Sequence, residues 1–264
     1  MTDRYERQSF LGRDATQTFA NSVIAIVGLG GGGSHVAQQL AHIGFLNVRL
    51  YDGDTAELSN LNRLIGASVN DVENGTKKID IARRLMLAVN PNMKIETFAC
   101  EWQQQAQSIR DADVIISCVD SYAARQDIEA TARRFLIPLV DIGMDVHLVN
   151  GRPHISGQVI LSLPDGPCMK CLGFLNDQAL QQEAEKYGAA GGRPQVVWTN
   201  GVLASIAVGL LVDLLTAWNG LPPNGQYLHF DGNTHEVSRS PRIQYAPPTC
   251  VHFPGDAVGE PVFQ

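Results

Sequence analysis

The stretch Gly28-Leu29-Gly30-Gly31-Gly32-Gly33 follows an apolar run and opens a helical pattern. That is the context in which a glycine-rich turn cradles phosphate. Phosphate must approach the backbone with no Cβ in the way, and the helix N-terminus then offers free N–H donors and a partial positive charge. Asp52 follows at the end of the next apolar run, where its carboxylate can accept hydrogen bonds from ribose hydroxyls. Ser34 stands where a Walker A loop would carry its lysine, so this turn has no cation of its own. Both a nicotinamide cofactor and ATP fit these residues, and for a triphosphate the cations would have to come from elsewhere.

Candidates for that role lie downstream. Asp52 is followed by Asp54, then by the run Ser59-Asn60-Leu61-Asn62-Arg63, then by Gly75-Thr76-Lys77-Lys78. Asp120 closes the sequence Ser117-Cys118-Val119-Asp120 at the carboxyl end of an expected parallel strand, where a carboxylate can hold Mg²⁺. The plain alternatives are solvated surface for Arg63 and Lys78, and an N-cap for Asp120 on a helix starting near Ala123. His35 and His42, in the first long helix, need no role beyond surface or core.

Five cysteines form a third group. Cys168-Met169-Lys170-Cys171 is a C-x-x-C pair, and Cys250-Val251-His252 supplies two more donors from the far end of the chain. Three thiolates and one imidazole make a sound tetrahedral zinc set that would tie the proline-rich C-terminal arm to the body. The alternative is an incomplete, metal-free pair. Cys100 and Cys118 lie in or beside expected strands and read as small buried hydrophobes.

The elements that must position these residues alternate. Val23–Val27, Val48–Tyr51, Lys94–Phe98, Val114–Cys118 and Ile137–Ile142 read as strands, with helical periodicity in Val36-Leu40-Ile43, in Ile79-Ala82-Met86-Val89 and over Ala123–Phe135. Such alternation specifies a doubly wound, Rossmann-like α/β fold with a mostly parallel sheet. Beyond Gly143 the pattern changes to a strand over 157–163 outside the parallel set, a glycine-rich loop over 173–199, a core helix over 202–218 and a strand near Tyr227–Phe230. The sheet is thus extended by antiparallel strands. We divide the chain into an arm over 1–20, a nucleotide-binding half over 21–145, a second half over 146–240 and a proline-rich arm over 241–264.

With 264 residues, 44% of them hydrophobic and 18% charged, the composition is that of a folded globular chain. A net charge of −7 sets the overall field against a nucleic-acid backbone. The charged start, with Asp3, Arg4, Glu6 and Arg7, has no apolar leader, and an odd cysteine count argues against a disulfide framework, so the expected compartment is the cytoplasm. The apolar segment 202–218 contains Asp213 and reads as core, with no membrane association expected.

Taken together, Arg4-Tyr5-Glu6-Arg7-Gln8, the glycine turn, Asp52-x-Asp54, Ser59-Asn60-Leu61-x-Arg63, Gly75-x-x-Lys78 and Asp120-x-x-x-x-Arg125 resemble the ThiF/MoeB/HesA adenylyltransferase family, relatives of ubiquitin-activating enzymes. The resemblance covers roughly residues 4–175. It implies ATP-dependent adenylation of the C-terminal glycine carboxylate of a ubiquitin-like or sulfur-carrier protein. On that basis Gly28, Gly30, Gly31 and Gly33 form the phosphate turn, Asp52 would bind the ribose, and Asp54 belongs to the same nucleotide-binding set. Asn60, Arg63 and Lys78 would bind the phosphates, and Asp120 would bind Mg²⁺. Arg7 would reach the triphosphate of a neighbouring subunit, which implies a homodimer. Relatives often carry a second C-x-x-C where this chain has Cys250 and Phe253, which leaves His252 as the candidate fourth zinc ligand. Many also carry an acceptor cysteine after the first C-x-x-C, and this chain has none between Cys171 and Cys250. We therefore expect transfer to an external nucleophile, with the 173–199 loop closing over the substrate tail on Gly188, Gly191 and Gly192. Other functions compatible with parts of the pattern are adenylation of a peptide or a tRNA nucleoside, a nicotinamide-dependent oxidoreductase, and a nucleotide-binding scaffold without activity.

Overall fold

A computed structural model describes residues 4–178, 180–181, 194–221 and 224–253. The order of elements is α1 (Ala15–Asn21), β1 (Val23–Val27), α2 (Gly31–Ile43), β2 (Asn47–Tyr51), α3 (Val69–Glu73), α4 (Lys78–Val89), β3 (Lys94–Phe98), α5 (Ala106–Ile109), β4 (Val114–Ser117), α6 (Tyr122–Arg134), β5 (Leu139–Val149), β6 (Arg152–Ser162), α7 (Val197–Thr216), β7 (Gln226–Asp231) and β8 (Glu236–Arg239). The strands form one eight-stranded sheet in the order β3-β2-β1-β4-β5-β6-β7-β8. β1 to β5 pair in parallel, and β6, β7 and β8 add antiparallel strands to the β5 edge.

This is the doubly wound α/β architecture expected from the alternation. β1 lies between β2 and β4, so the chain reverses its winding there, and a crevice opens beyond the carboxyl ends of those strands. β1 and the first three residues of β4 are apolar because helices cover both faces of the sheet. One face packs against α2 and α7 through Val36, Leu40, Leu203 and Ala207, all fully buried. The other packs against α6 through Ile128 and Ala132, with Trp102 and Ile109 beside them. Each buried aliphatic side chain of this kind contributes about 1.5–3 kcal/mol.

Three boundaries differ from the sequence reading. β5 and β6 are each 11 residues long and form a hairpin that runs well past the parallel sheet. Its turn is Asn150-Gly151, both left-handed, a pair suited to a two-residue hairpin turn. The core helix α7 begins at Val197 rather than near residue 202, and ends where Ala217 turns left-handed. β8 was not anticipated, since all four of its residues are exposed and it shows no apolar alternation. Of the 241–264 arm, Pro241–Gln244 forms a short 3-10 helix. Gly188, Gly191 and Gly192, with Pro254 and Pro261, lie outside the described residues.

An ion pair ties α4, whose Ile79, Ala82 and Met86 pack in the core, to α3. Asp71 on α3 is 1% exposed and accepts two hydrogen bonds from Arg84 on α4, at 2.7 and 2.8 Å, and one from the Ser68 backbone N–H. The Arg84 guanidinium beside it holds the Asp71 carboxyl well below the usual carboxylate range. A depressed carboxylate contributes stability above its unfolded pKa and loses it as the pH falls through its folded value. Arg84 is half exposed, which weakens the pair, and we expect Asp71→Asn to cost about 1–2 kcal/mol at neutral pH. In urea unfolding followed from pH 7 down to the acid limit, the difference between wild type and variant should shrink steadily. A difference independent of pH would show that the charge of Asp71 is not its source.

Candidate functional site

β1 delivers the chain to Gly28, whose left-handed backbone at φ +87° no ordinary side chain adopts easily. A Cβ there would also stand 2.8 Å from the Cys118 carbonyl oxygen on the neighbouring strand. Gly30 is the N-cap of α2 and brings no capping side chain, so the first N–H groups of the helix remain open to the crevice. Gly31 packs against the Asn200 side chain of α7, and Gly33 packs directly on the Gly28 carbonyl. Gly33 does not line the cleft. It is glycine so that helix and strand can approach each other.

A cleft of about 450 Å³ opens over this turn. Gly28, Gly30, Gly31, Asp52, Asp54 and Asp120 line it together with Arg63 and Lys78, although these residues span 93 positions of sequence. Asp52, at the end of β2, accepts hydrogen bonds from the backbone N–H of Leu29 at 2.6 Å and of Asp54 at 2.9 Å. Burial pushes its carboxyl above the usual range, opposed by the nearby Lys78. The second half of the cleft is stitched to the first by backbone. Lys78 N–H donates to the Asp54 carbonyl, Thr55 bridges to Lys77, and Lys78 Nζ reaches Asp54 Oδ2 at 2.6 Å.

The Arg63 turn is held from both sides. Arg63 Nη1 donates to the Ser59 carbonyl at 2.6 Å and to Asn62 Oδ1 at 2.9 Å, and Asn62 Nδ2 donates to the Gln195 carbonyl. Asn60 is buried and its Oδ1 accepts the Glu57 N–H, so in this structure it shapes the turn that carries Arg63 and does not line the cleft. Ser34, which replaces the Walker lysine, accepts the Ile65 N–H and donates to the Gly31 carbonyl. It clamps the Arg63 segment to the glycine turn. The sequence reading missed this role, and a buried serine in the first turn of a glycine-opened helix was its only signal.

Asp120 lies exposed at the cleft, on the turn from β4 into α6. The N-cap of α6 is Ser121, whose hydroxyl accepts the Ala124 N–H at 3.0 Å, so the capping role considered for Asp120 belongs to its neighbour. Arg125 fixes the same turn. Its Nε donates to the fully buried Asp141, and its Nη2 donates to the carbonyls of Val119 and Ile142. Arg7 sits exposed on a short 3-10 helix, Glu6–Leu11, away from the lining of its own cleft.

Cys100 and Cys118 are partly buried, Cys118 against the core, and both also line the cleft. Burial pushes the Cys118 thiol far up, which makes it a poor nucleophile. The other three cysteines converge with His252. The sulfurs of Cys168 and Cys171 are 3.6 Å apart, those of Cys171 and Cys250 3.8 Å, and His252 Nδ1 lies 3.4 and 3.3 Å from the first two. A zinc tetrahedron with bonds of about 2.3 Å to sulfur and about 2.05 Å to nitrogen has edges of roughly 3.8 and 3.6 Å. The donor set and its spacing therefore fit zinc, and Phe253, standing where a fourth cysteine would be, lies 5.5 Å from the Arg133 guanidinium.

The model of the ThiF family matches residues 3–252. The molybdopterin-synthase adenylyltransferase of Escherichia coli (strain K12) is 29% identical over 238 residues, which cover 88% of each chain. The sulfur carrier protein ThiS adenylyltransferase of the same organism is 28% identical over 243 residues, again 88% of each. Among solved structures, E. coli MccB superimposes with a TM-score of 0.74 at 18% identity, over 94% of this chain and 75% of that one, and shares the fold. The microcin C7 biosynthetic enzyme MccB has also been solved in complex with N-formylated MccA.

The cleft generates a direct expectation. Lys78 is a cation in the lining of the cleft, with its side chain paired to Asp54. We expect Lys78→Ala to weaken nucleotide binding and to reduce any turnover by about 100- to 1,000-fold, with the fold retained by circular dichroism. Equal ATP binding by wild type and variant in calorimetry would remove Lys78 from the site.

Proposed function

Because the chain belongs to the ThiF family, we propose that it is an ATP-dependent adenylyltransferase acting on the C-terminal carboxylate of a ubiquitin-like or sulfur-carrier protein. The observation that supports this most is the meeting of Lys78, Arg63, Asp52 and Asp120 with an uncapped helix N-terminus in one cleft. A nicotinamide cofactor would use the turn and Asp52 but would leave the two cations and Asp120 without work.

In the proposed reaction the ribose lies on Asp52 and the triphosphate runs across the glycine turn towards Lys78 and Arg63. An oxygen of the substrate carboxylate attacks the α-phosphorus, the bond from that phosphorus to the bridging oxygen breaks, and pyrophosphate leaves with the electron pair. A terminal carboxyl has a pKa of about 3.3–3.7 and is already ionised, so no general base is needed. The protein's contribution is to hold the two anions in line and to neutralise the charge that develops on the leaving group. Mg²⁺ binds through one or two carboxylates plus substrate phosphates, and the exposed Asp120 carboxylate at the cleft suits such a site. When bound, the ion screens the phosphates from the incoming carboxylate.

Arg7 stands away from its own cleft and is proposed to serve the cleft of a second copy in a homodimer. The Cys168, Cys171, Cys250 and His252 cluster is proposed to hold structural zinc. The activated carboxyl is proposed to pass to an external nucleophile, since no cysteine lies between Cys171 and Cys250. The fold shared with MccB keeps a peptide substrate as the second reading.

Two experiments follow. ATP–pyrophosphate exchange should rise when a small protein ending in Gly-Gly is added. Exchange with a peptide alone selects the second reading, and a lack of exchange with either contradicts both. Separately, Cys168→Ser should lower the zinc content of purified protein below one equivalent and reduce its melting temperature, whereas wild type purified without zinc would contradict the metal assignment.

A further inference from the structure

Arg125, Glu129 and Arg133 recur at every fourth residue of α6 and so form one row down a single face of that helix. The row points inward, since the three residues are 5%, 1% and 2% exposed. Three charges in one buried row each forfeit their hydration, an arrangement that persists only where partners are fixed. Here both ends of the row are bonded to something functional.

At the N-terminal end, Arg125 binds Asp141 and holds the Val119 and Ile142 carbonyls, which sets the β4–α6 turn that carries Asp120 into the cleft. At the other end, Glu129 accepts the backbone N–H of Met169 with both carboxylate oxygens, at 3.1 and 3.0 Å, inside the Cys168–Cys171 pair itself. Arg133 donates to the carbonyls of Pro164 and Gly166, which lead into that pair, and lies against Phe253 beside His252. Ser162 bonds both Glu129 and Arg133 and closes the network. One rigid helix therefore grips the cysteine cluster with two of its buried charges and the nucleotide turn with the third. Neither end can shift without leaving a buried charge poorly paired.

We propose that the buried row Arg125–Glu129–Arg133 couples metal binding at the Cys168, Cys171, Cys250 and His252 cluster to nucleotide binding at the cleft, with Glu129 and Arg133 as positioning residues. This rests on the metal and nucleotide assignments made above, and it adds that the two sites share one mechanical element. Coupling between binding sites is reciprocal, so each ligand must change the affinity of the other by the same factor.

The test uses the full chain. Zinc affinity is measured by competition with a fluorescent zinc chelator, with and without saturating α,β-methylene ATP and Mg²⁺, and nucleotide affinity is measured with and without zinc. In wild type the nucleotide should tighten zinc binding roughly 5-fold or more, with a matching factor for nucleotide on zinc loading. Glu129→Gln keeps an acceptor near Met169 but removes the charge, and should bring the factor close to one while all four zinc donors remain. If circular dichroism shows that this variant does not fold, Arg133→Lys is judged by the same criterion. A wild-type factor below about two overturns the coupling, and so does an equal factor in wild type and a folded variant. Failure to bind zinc at all overturns the metal assignment along with the coupling, whereas nucleotide that fails to bind overturns the cleft assignment, so the failures are distinguishable.

Discussion

A nucleoside triphosphate carries more negative charge than a turn of backbone N–H groups can neutralise, and the turn in this chain has a serine where others place a lysine. On the proposed function, that deficit is made up by Lys78 and Arg63, which line the cleft beside the turn. Both residues come from segments far away in sequence, and each has its own anchor. Lys78 is brought in by the backbone pairing of residues 54–55 with 77–78 and by the Asp71–Arg84 pair that ties its helix to α3. Arg63 is brought in by a short turn that Asn60 shapes internally and Ser34 clamps from below. The residue that displaced the local lysine thus helps to hold its substitute.

Asp52, which lines the cleft, also holds the fold around it. Its carboxylate is buried at some cost, and two backbone N–H groups from both sides of the crevice offset that cost in part. In doing so it fixes the distance between the glycine turn and the end of β2. α6 follows the same logic at larger scale. It packs on the sheet through Ile128 and Ala132 and also buries a row of ionic contacts, which reach the cleft at one end and the cysteine cluster at the other.

The sequence made the architecture legible wherever burial on both faces left continuous apolar runs, as in Val23–Val27 and residues 114–116. The glycine turn, Asp52 and the Cys and His donors were legible because their chemistry demands particular residue types at particular spacings. What stayed hidden depended on tertiary contact. β8 carries no apolar period, since it is an exposed edge strand, and the long β5–β6 hairpin was readable only through its Asn150-Gly151 turn. The bonding of Ser34 to Ile65 and of Glu129 to Met169 joins positions 31 and 40 residues apart, and nothing in local pattern announces either. Asn60 was identified as a site residue, yet here its side chain serves the backbone of its own turn.

The central claim is that separated cations converge on the polyphosphate that a lysine-free turn cannot hold alone. The most direct measurement is a crystal structure of the complex with α,β-methylene ATP and Mg²⁺. The account predicts phosphates lying over Gly28–Gly31, with Lys78 and Arg63 in hydrogen-bonding distance of their oxygens and the ribose on Asp52. A nucleotide seated elsewhere, or Lys78 still engaged only with Asp54 while the phosphates bind without it, would contradict the account.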